Sequence, residues 1–194
     1  AGCAAGDTDE AATPPADIAQ DITFALKEDP VCIDPQQGSL TTALNIGRQI
    51  ADSLLDQDPE TGDVLPWLAS DFSVNPDATQ YTFTLAEGVT FSDGTPLTSE
   101  VVKANFDSII ELGSAASLAG GYLAGYAGTD VVSDTEFVVN FSAPNVPFMQ
   151  GASTMSLGIL SPETVAGTAE ERCQAIVGTG PFVLGDVTQG QSVK

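Results

Sequence analysis

The sequence contains no histidine and only five basic residues among 194. The missing imidazole removes the commonest general base and metal ligand, so zinc sites and Ser-His-Asp or Cys-His catalysis cannot be built in their usual form. No apolar run approaches the length of a membrane-spanning helix. We therefore expect neither a metal site nor another cofactor. The five cations are scattered along the chain: Lys27, Arg48, Lys103, Arg172 and Lys194.

The charge is one-sided, with 27 acidic residues and a formal net charge of −22. Such a chain is a poor partner for nucleic acid and for anionic membrane surfaces, because both bind to clustered lysine and arginine. At 42% hydrophobic residues the chain can still bury a core, and its length allows one medium domain or two small ones. The acidic excess indicates solubility more than a particular ligand.

The first 20 residues are small and acidic and show no apolar period, which predicts a disordered leader. Ala1, Gly2 and Cys3 resemble the end of a bacterial lipoprotein signal, where small residues precede the cysteine that receives the lipid. On this resemblance Cys3 is lipidated, and the acidic leader holds a folded domain off the membrane. A chance occurrence in a stretch rich in alanine and glycine is the alternative.

Residues 81–96 carry the most distinctive local pattern. Tyr81, Phe83 and Leu85 alternate with threonines, as in a half-buried strand. Asp93 and Gly94 then predict a turn. A helix is expected to begin directly afterwards, with Thr98 as its N-cap.

Three other segments give local predictions. Residues 22–26 and residues 181–184 have the composition of strands. A helix with an amphipathic period begins at Ser39 or Thr41 and extends to about Leu55. Trp67 is the only tryptophan, and we expect it in the core rather than as a platform for a ligand.

Several segments, in this order, resemble the family 5 solute-binding proteins of bacterial ABC importers, the peptide and nickel group. The resemblance extends from about Ile22 to the end of the chain, and its most specific part is long and gapless. The segments that carry it are 33–35 (IDP), 64–69 (VLPWLA), 83–98 (FTLAEGVTFSDGTPLT), 161–162 (SP) and 177–182 (VGTGPF).

This resemblance implies an α/β fold of the mixed α+β kind, the amino-terminal part of a periplasmic-binding-protein-like clamp with two lobes. Residues 1–20 would be the lipoprotein-type leader. Residues 21–44 and 168–194 would form part of the first lobe, and residues 45–167 a small inserted α/β subdomain. Members of the family continue well beyond the length of this chain, so we expect it to be part of a longer protein.

The resemblance also implies a function without catalysis. The protein would bind di- or oligopeptides outside the membrane, as a monomer attached by its lipid anchor alone, and deliver them to ABC permease subunits. Backbone groups after the first strand would hold the peptide, and a carboxylate of Glu28 or Asp29 could meet its amine. Alternatively, Glu28 and Asp29 are solvated residues of a turn and contact no ligand. The expected ligand segment consists of Glu28, Asp29, Pro30, Val31 and Cys32.

In the same layout, Cys32 follows the first strand and Cys173 precedes another strand of the first-lobe sheet. The two thiols can then meet, and a disulfide is permitted outside the cytoplasm. Two independent buried thiols are the alternative.

For the ligand, a nickel chelate or another small solute is the alternative, although residues 155–158 lack the arginine of the nickel-binding branch. An extracellular hydrolase with a carboxylate pair is the alternative of another class.

Overall fold

The structure is a computed structural model that describes residues 22–194. Cys3 and the predicted leader lie outside the described residues, so lipidation stays a prediction. None of the helices among residues 22–194 is both long and apolar enough to cross a bilayer.

The described chain opens with an irregular stretch that leads into helix α1 (Thr41–Ile50). Two short strands follow, β1 (Leu55–Gln57) and β2 (Val64–Pro66), which pair antiparallel. The turn between them contains Gly62 at φ 78°, a conformation that glycine adopts without steric cost. This part of the chain therefore connects the irregular start to the main sheet.

A four-stranded antiparallel sheet forms the centre of the described chain. Its strands are β3 (Ala69–Val74), β4 (Gln80–Leu85), β5 (Tyr126–Val131) and β6 (Glu136–Phe141). Their order in space is β3-β4-β6-β5, so β4 and β6 are the inner strands. Residues on both inner strands alternate between buried and more exposed positions, which leaves one face of the sheet for the core.

Helices α2 (Ser99–Leu112), α3 (Ser117–Tyr122) and α4 (Phe148–Gly151) contribute buried residues to the core of this sheet. Aromatic rings fill its centre. The Phe148 ring lies 4.9 Å from that of Tyr81, centroid to centroid, with the edge-to-face geometry that such pairs prefer.

The last part of the described chain contains α5 (Pro162–Ala166), α6 (Ala169–Arg172) and two short strands, β7 (Val187–Thr188) and β8 (Ser192–Val193). A second, smaller cluster joins this part to the end of α1. Its fully buried members are Ile50, Ala51, Met155, Leu160 and Ile176.

The predictions for residues 81–98 are confirmed. Residues 80–85 form β4, and Gly94 has φ 87° in the turn, where the Asp93 carboxylate accepts a hydrogen bond from the Thr95 amide at 2.8 Å. The Thr98 hydroxyl caps α2 by accepting from the Val101 amide. Each of these features depends on residues close in sequence, which is why the local pattern was sufficient.

The predicted end of the first helix is wrong. The helix ends at Ile50, and Ala51 is extended at φ −126° and ψ 160°. Leu54 and Leu55 are buried, as their apolar period suggested, but on an extended segment. There the Leu54 carbonyl accepts from the Ala69 amide at 2.9 Å, and the Leu55 amide donates to the Ala152 carbonyl at 3.0 Å.

Neither of the two strands predicted for the first-lobe sheet is formed within residues 22–194. Residues 22–26 pair with no other strand of the described chain, and Ile22 is 93% exposed. In the second segment, the Gly180 and Phe182 amides donate to the carbonyls of Ile50 and Gln49 at the end of α1. These amides therefore pair with free carbonyl groups at the carboxyl end of the helix, and not with a neighbouring strand.

The prediction that Trp67 lies in the core is also wrong. The side chain is 53% exposed, and its indole N–H donates to the Asp52 carboxylate at 3.0 Å. The second oxygen of Asp52 accepts from the Thr179 hydroxyl at 2.8 Å. The polar N–H of this exposed indole is therefore paired with a carboxylate.

Candidate functional site

The expected ligand segment, residues 28–32, forms an irregular turn on the surface. Glu28 and Val31 are exposed, and the three other residues are half-buried. The Asp29 carboxylate accepts a hydrogen bond from the Val31 amide at 2.9 Å. The Cys32 amide donates to the Pro30 carbonyl at 2.6 Å, which closes a three-residue turn around Val31. Asp29 is therefore already engaged by the turn, whereas the Glu28 side chain faces solvent.

A disulfide between Cys32 and Cys173 anchors the end of this segment, as the resemblance implies. The two Cα atoms lie 4.2 Å apart, and the bond joins residues separated by 141 positions. Next to it, the Ile33 amide donates to the Cys173 carbonyl at 3.2 Å. The turn is thus tied to the end of α6 by both side chain and backbone.

A buried ion pair lies beside the disulfide in sequence. The side chains of Arg172 and Asp34 are 1% and 0% exposed, and Arg172 Nε lies 2.8 Å from Asp34 Oδ2. This is a close ion contact rather than an aligned hydrogen bond. Both terminal nitrogens of Arg172 do donate hydrogen bonds, Nη1 to Ser108 Oγ at 2.7 Å and Nη2 to Gln36 Oε1 at 2.5 Å. A buried guanidinium requires partners of this kind.

The polar network continues from Gln36 into the main core. The Gln36 amide group donates to Asn105 Oδ1 at 2.7 Å and to the Gly158 carbonyl at 2.8 Å. Asn105 also bonds both backbone groups of Leu160 at 2.9 Å. The network therefore connects the segment after the turn to α2 and to the chain before α5.

The start of α6 positions Arg172. Thr168 and Glu171 form a capping box, in which the Thr168 hydroxyl accepts from the Glu171 amide and the Glu171 carboxylate accepts from the Thr168 backbone. The hydrogen bonds that the carboxylate accepts from the Thr168 N–H and the Thr168 hydroxyl, both at 2.8 Å, lower the pKa of the Glu171 carboxyl. The capped turn directs Arg172 inward, although α6 has only four residues.

Sequence reasoning missed Arg172, which it treated as one of five scattered cations. The available signal was its position next to Cys173, together with Asp34 two residues after Cys32. If the two cysteines pair, the two opposite charges must also come close.

The polar groups of residues 28–32 are backbone groups and carboxylates. No cluster of three or more His, Cys, Asp or Glu side chains within residues 22–194 is placed to hold a metal ion. At the turn, the Val31 and Cys32 amides are already donated to Asp29 and Pro30, and the groups that remain for a ligand are the C=O groups of Val31 and Cys32 and the carboxylate of Glu28. Such groups suit a ligand that itself offers amides or an amine.

The chain belongs to the bacterial extracellular solute-binding proteins, family 5, because the model of that family's middle region matches residues 63–194. The resemblance seen in the sequence is thereby confirmed. The family is one of solute-binding proteins.

Individual relatives agree with this assignment. The chain is 28% identical over 176 residues to the probable D,D-dipeptide-binding periplasmic protein DdpA of Escherichia coli, covering 85% of this chain and 33% of the relative. It is 28% identical over 188 residues to the glutathione-binding protein GsiB of Salmonella typhi, covering 93% of this chain and 35% of the relative. The chain therefore spans about a third of the length of these relatives.

Solved structures confirm the fold. The PBP AgaA from A. tumefaciens R10, in complex with agropinic acid, superimposes with a TM-score of 0.74 at 27% identity. The match covers 84% of this chain and 33% of AgaA. The fold is therefore the mixed α/β fold of periplasmic-binding-protein-like proteins. The proposed division into first-lobe segments and an inserted subdomain stays a prediction.

Proposed function

We propose that this chain is part of an extracytoplasmic binding protein that captures peptides and delivers them to an ABC permease. The observation that carries the proposal is its membership of family 5, with relatives named for binding a D,D-dipeptide and glutathione. Both ligands are short peptides. The protein acts by binding and release, without catalysis.

The turn at residues 28–32 supports a peptide ligand. A peptide bound through its main chain can vary in its side chains, because the hydrogen-bonding groups are the same in every peptide. The exposed carboxylate of Glu28 adds a partner for the ligand's amine. Asp29 becomes a second partner only if the amine displaces the Val31 amide from its carboxylate.

We also propose a location outside the cytoplasmic membrane. The Cys32–Cys173 disulfide supports it, since such bonds persist in oxidising compartments. The anchor would be the lipid on Cys3, and the partners the permease subunits, with the binding protein itself monomeric. Labelling cells with a radioactive fatty acid tests the anchor. The Cys3→Ser variant should lose both the label and membrane association.

Isothermal titration calorimetry on the full-length protein tests the ligand class. The probes are glutathione, D-Ala-D-Ala, an equimolar mixture of L-dipeptides, and agropinic acid. We expect heat and a higher melting temperature with at least one peptide, and the peptide should be recovered intact. Binding of agropinic acid alone would point to another small solute, and hydrolysis of the peptide would favour an enzyme.

Two matched substitutions locate the contact. Glu28→Gln should weaken binding of the peptide that gives heat, because it removes the charge that faces the ligand amine. Asp77→Asn removes an exposed carboxylate elsewhere, in the turn between β3 and β4, and should leave affinity unchanged. Equal affinities for both variants and the parent would remove Glu28 from the site.

A further inference from the structure

Val31 has a backbone conformation that is costly for its residue type. Its φ is 63°, in the left-handed region. Among residues 22–194, Ala78 at φ 51° is the only other residue besides glycines with positive φ. A β-branched side chain there is a genuine outlier, because Cβ and its two branches crowd the neighbouring carbonyl groups.

The turn around Val31 is one of the strained kinds. The hydrogen bond from the Cys32 amide to the Pro30 carbonyl spans three residues, with positive φ at the central one. The γ-turn with positive φ is the rare and strained form of this turn. Packing does not explain it, since the Val31 side chain is 63% exposed.

The chain immediately after Val31 is held at three successive positions. Cys32 is bonded to Cys173, the Ile33 amide donates to the Cys173 carbonyl, and Asp34 is buried against Arg172. On the other side, the Asp29 carboxylate holds the Val31 amide. Strained residues persist where their surroundings over-determine them in this way, and they concentrate at ligand clamps.

We propose that the Cys32–Cys173 disulfide holds residues 30–32 in this strained turn, and that Val31 is a positioning residue for the peptide groups of the ligand segment. The inference rests on the proposed function and deepens it. A turn fixed before the ligand arrives presents the C=O groups of Val31 and Cys32 in one direction, and binding then costs less ordering of the chain. Without the disulfide, Val31 returns to negative φ and these groups turn away.

The strain can be measured without a ligand, through the equilibrium between the disulfide and a reductant. In the full-length protein, dithiothreitol reduces Cys32–Cys173 to two thiols and is itself oxidised to its cyclic disulfide. Reduction releases the strain at Val31, so the strain favours reduction in the parent. In Val31→Gly no strain remains to be released.

We expect half-reduction of Val31→Gly to require a ratio of reduced to oxidised dithiothreitol about fivefold higher than half-reduction of the parent requires. This factor corresponds to strain at the lower end of the usual range. Val31→Ala should shift the ratio less, because alanine keeps part of the strain. Ala78→Gly relieves the other positive φ, far from the disulfide in sequence, and should not shift it. The reduced fraction is read by alkylation and mass spectrometry of the peptides that contain Cys32 and Cys173.

Equal ratios for the parent and Val31→Gly would overturn the proposal.

A second experiment tests the positioning role with glutathione, or with D-Ala-D-Ala if glutathione does not bind. The variant Cys32→Ser with Cys173→Ser should bind the peptide several-fold more weakly. Unchanged affinity would overturn the positioning role. A parent that binds neither peptide would contradict the proposed function instead, while the reduction equilibrium would still decide whether the turn is strained.

Discussion

Arg172 and Asp34 form an ion pair that solvent does not reach, with the two side chains 1% and 0% exposed and Nε 2.8 Å from Oδ2. Each of these residues lies within two positions of a cysteine of the Cys32–Cys173 disulfide. A covalent bond and a buried charge pair therefore join the same two segments, which lie at opposite ends of the described chain.

Replacing Arg172 by methionine should destabilise the protein by about 3–5 kcal/mol, because it leaves Asp34 buried without its counter-charge. Arg48→Met is the matched control. Arg48 pairs with Asp56 at 2.5 Å, but both side chains are about one-third exposed, so the expected loss is about 0–1 kcal/mol. Urea unfolding measures both. Similar losses of unfolding free energy in the two variants would mean that the buried Arg172 pair contributes no more to stability than the partly exposed Arg48 pair.

Removing the disulfide by Cys32→Ser with Cys173→Ser should cost about 2–5 kcal/mol, since the bond closes a long loop in the unfolded chain. The separation of 141 residues places the effect toward the upper end. Counting free thiols in unfolded protein, with and without reductant, gives an independent check. Identical counts would show that the disulfide does not form.

Gly178 lies against the end of α1, and a Cβ built there would be 2.2 Å from the Ile50 carbonyl oxygen. Gly178→Ala should therefore destabilise the protein by about 1–3 kcal/mol through overpacking. The control is Gly121→Ala, in α3, where an added Cβ meets nothing within 4 Å. There alanine should stabilise by about 0.4–1 kcal/mol. Thermal unfolding distinguishes the two, and a destabilised Gly121→Ala would contradict the packing described for α3.

Tyr126 makes the stability depend on pH in the alkaline range. Burial raises the pKa of its hydroxyl, which also contacts Asp107 at 2.9 Å and Thr129 at 2.8 Å. Because the pKa of this hydroxyl is higher in the folded than in the unfolded protein, folding favours the neutral hydroxyl. Its contribution to stability is fully present below the unfolded pKa of about 10 and is lost as pH rises toward the folded pKa. We expect unfolding free energies to fall above about pH 10. The fall should be smaller in Tyr126→Phe, and an unchanged profile would assign the pH dependence to other groups.

The sequence was informative where structure depends on near neighbours. The turn at Asp93 and Gly94 and the cap at Thr98 were predicted correctly, because the turn and the cap are each made by residues within a few positions. Trp67 was misplaced, and its hydrogen-bond partner Asp52 lies 15 residues away. A composition rule for tryptophan contains no information about such a partner.

The buried polar network was harder still to predict. Arg172 reaches Gln36 across 136 positions, and no local pattern connects the two residues. The family resemblance paired Cys32 with Cys173, but the Arg172–Asp34 ion pair beside the disulfide was not predicted. The strands expected at residues 22–26 and 181–184 were predicted from their composition and are not formed. A strand requires a partner, and apolar composition alone does not supply one.

Hydrogen exchange on the full-length protein tests the central claim most directly, namely that the disulfide-anchored turn is part of a peptide site. Exchange of the amides of Glu28, Asp29, Val31 and Cys32 is compared with and without a saturating peptide, glutathione or D-Ala-D-Ala. The amides of β3 serve as the internal reference. We predict slower exchange at residues 28–32 in the complex and no change in β3. A bound peptide that leaves exchange at residues 28–32 unaltered would contradict the claim.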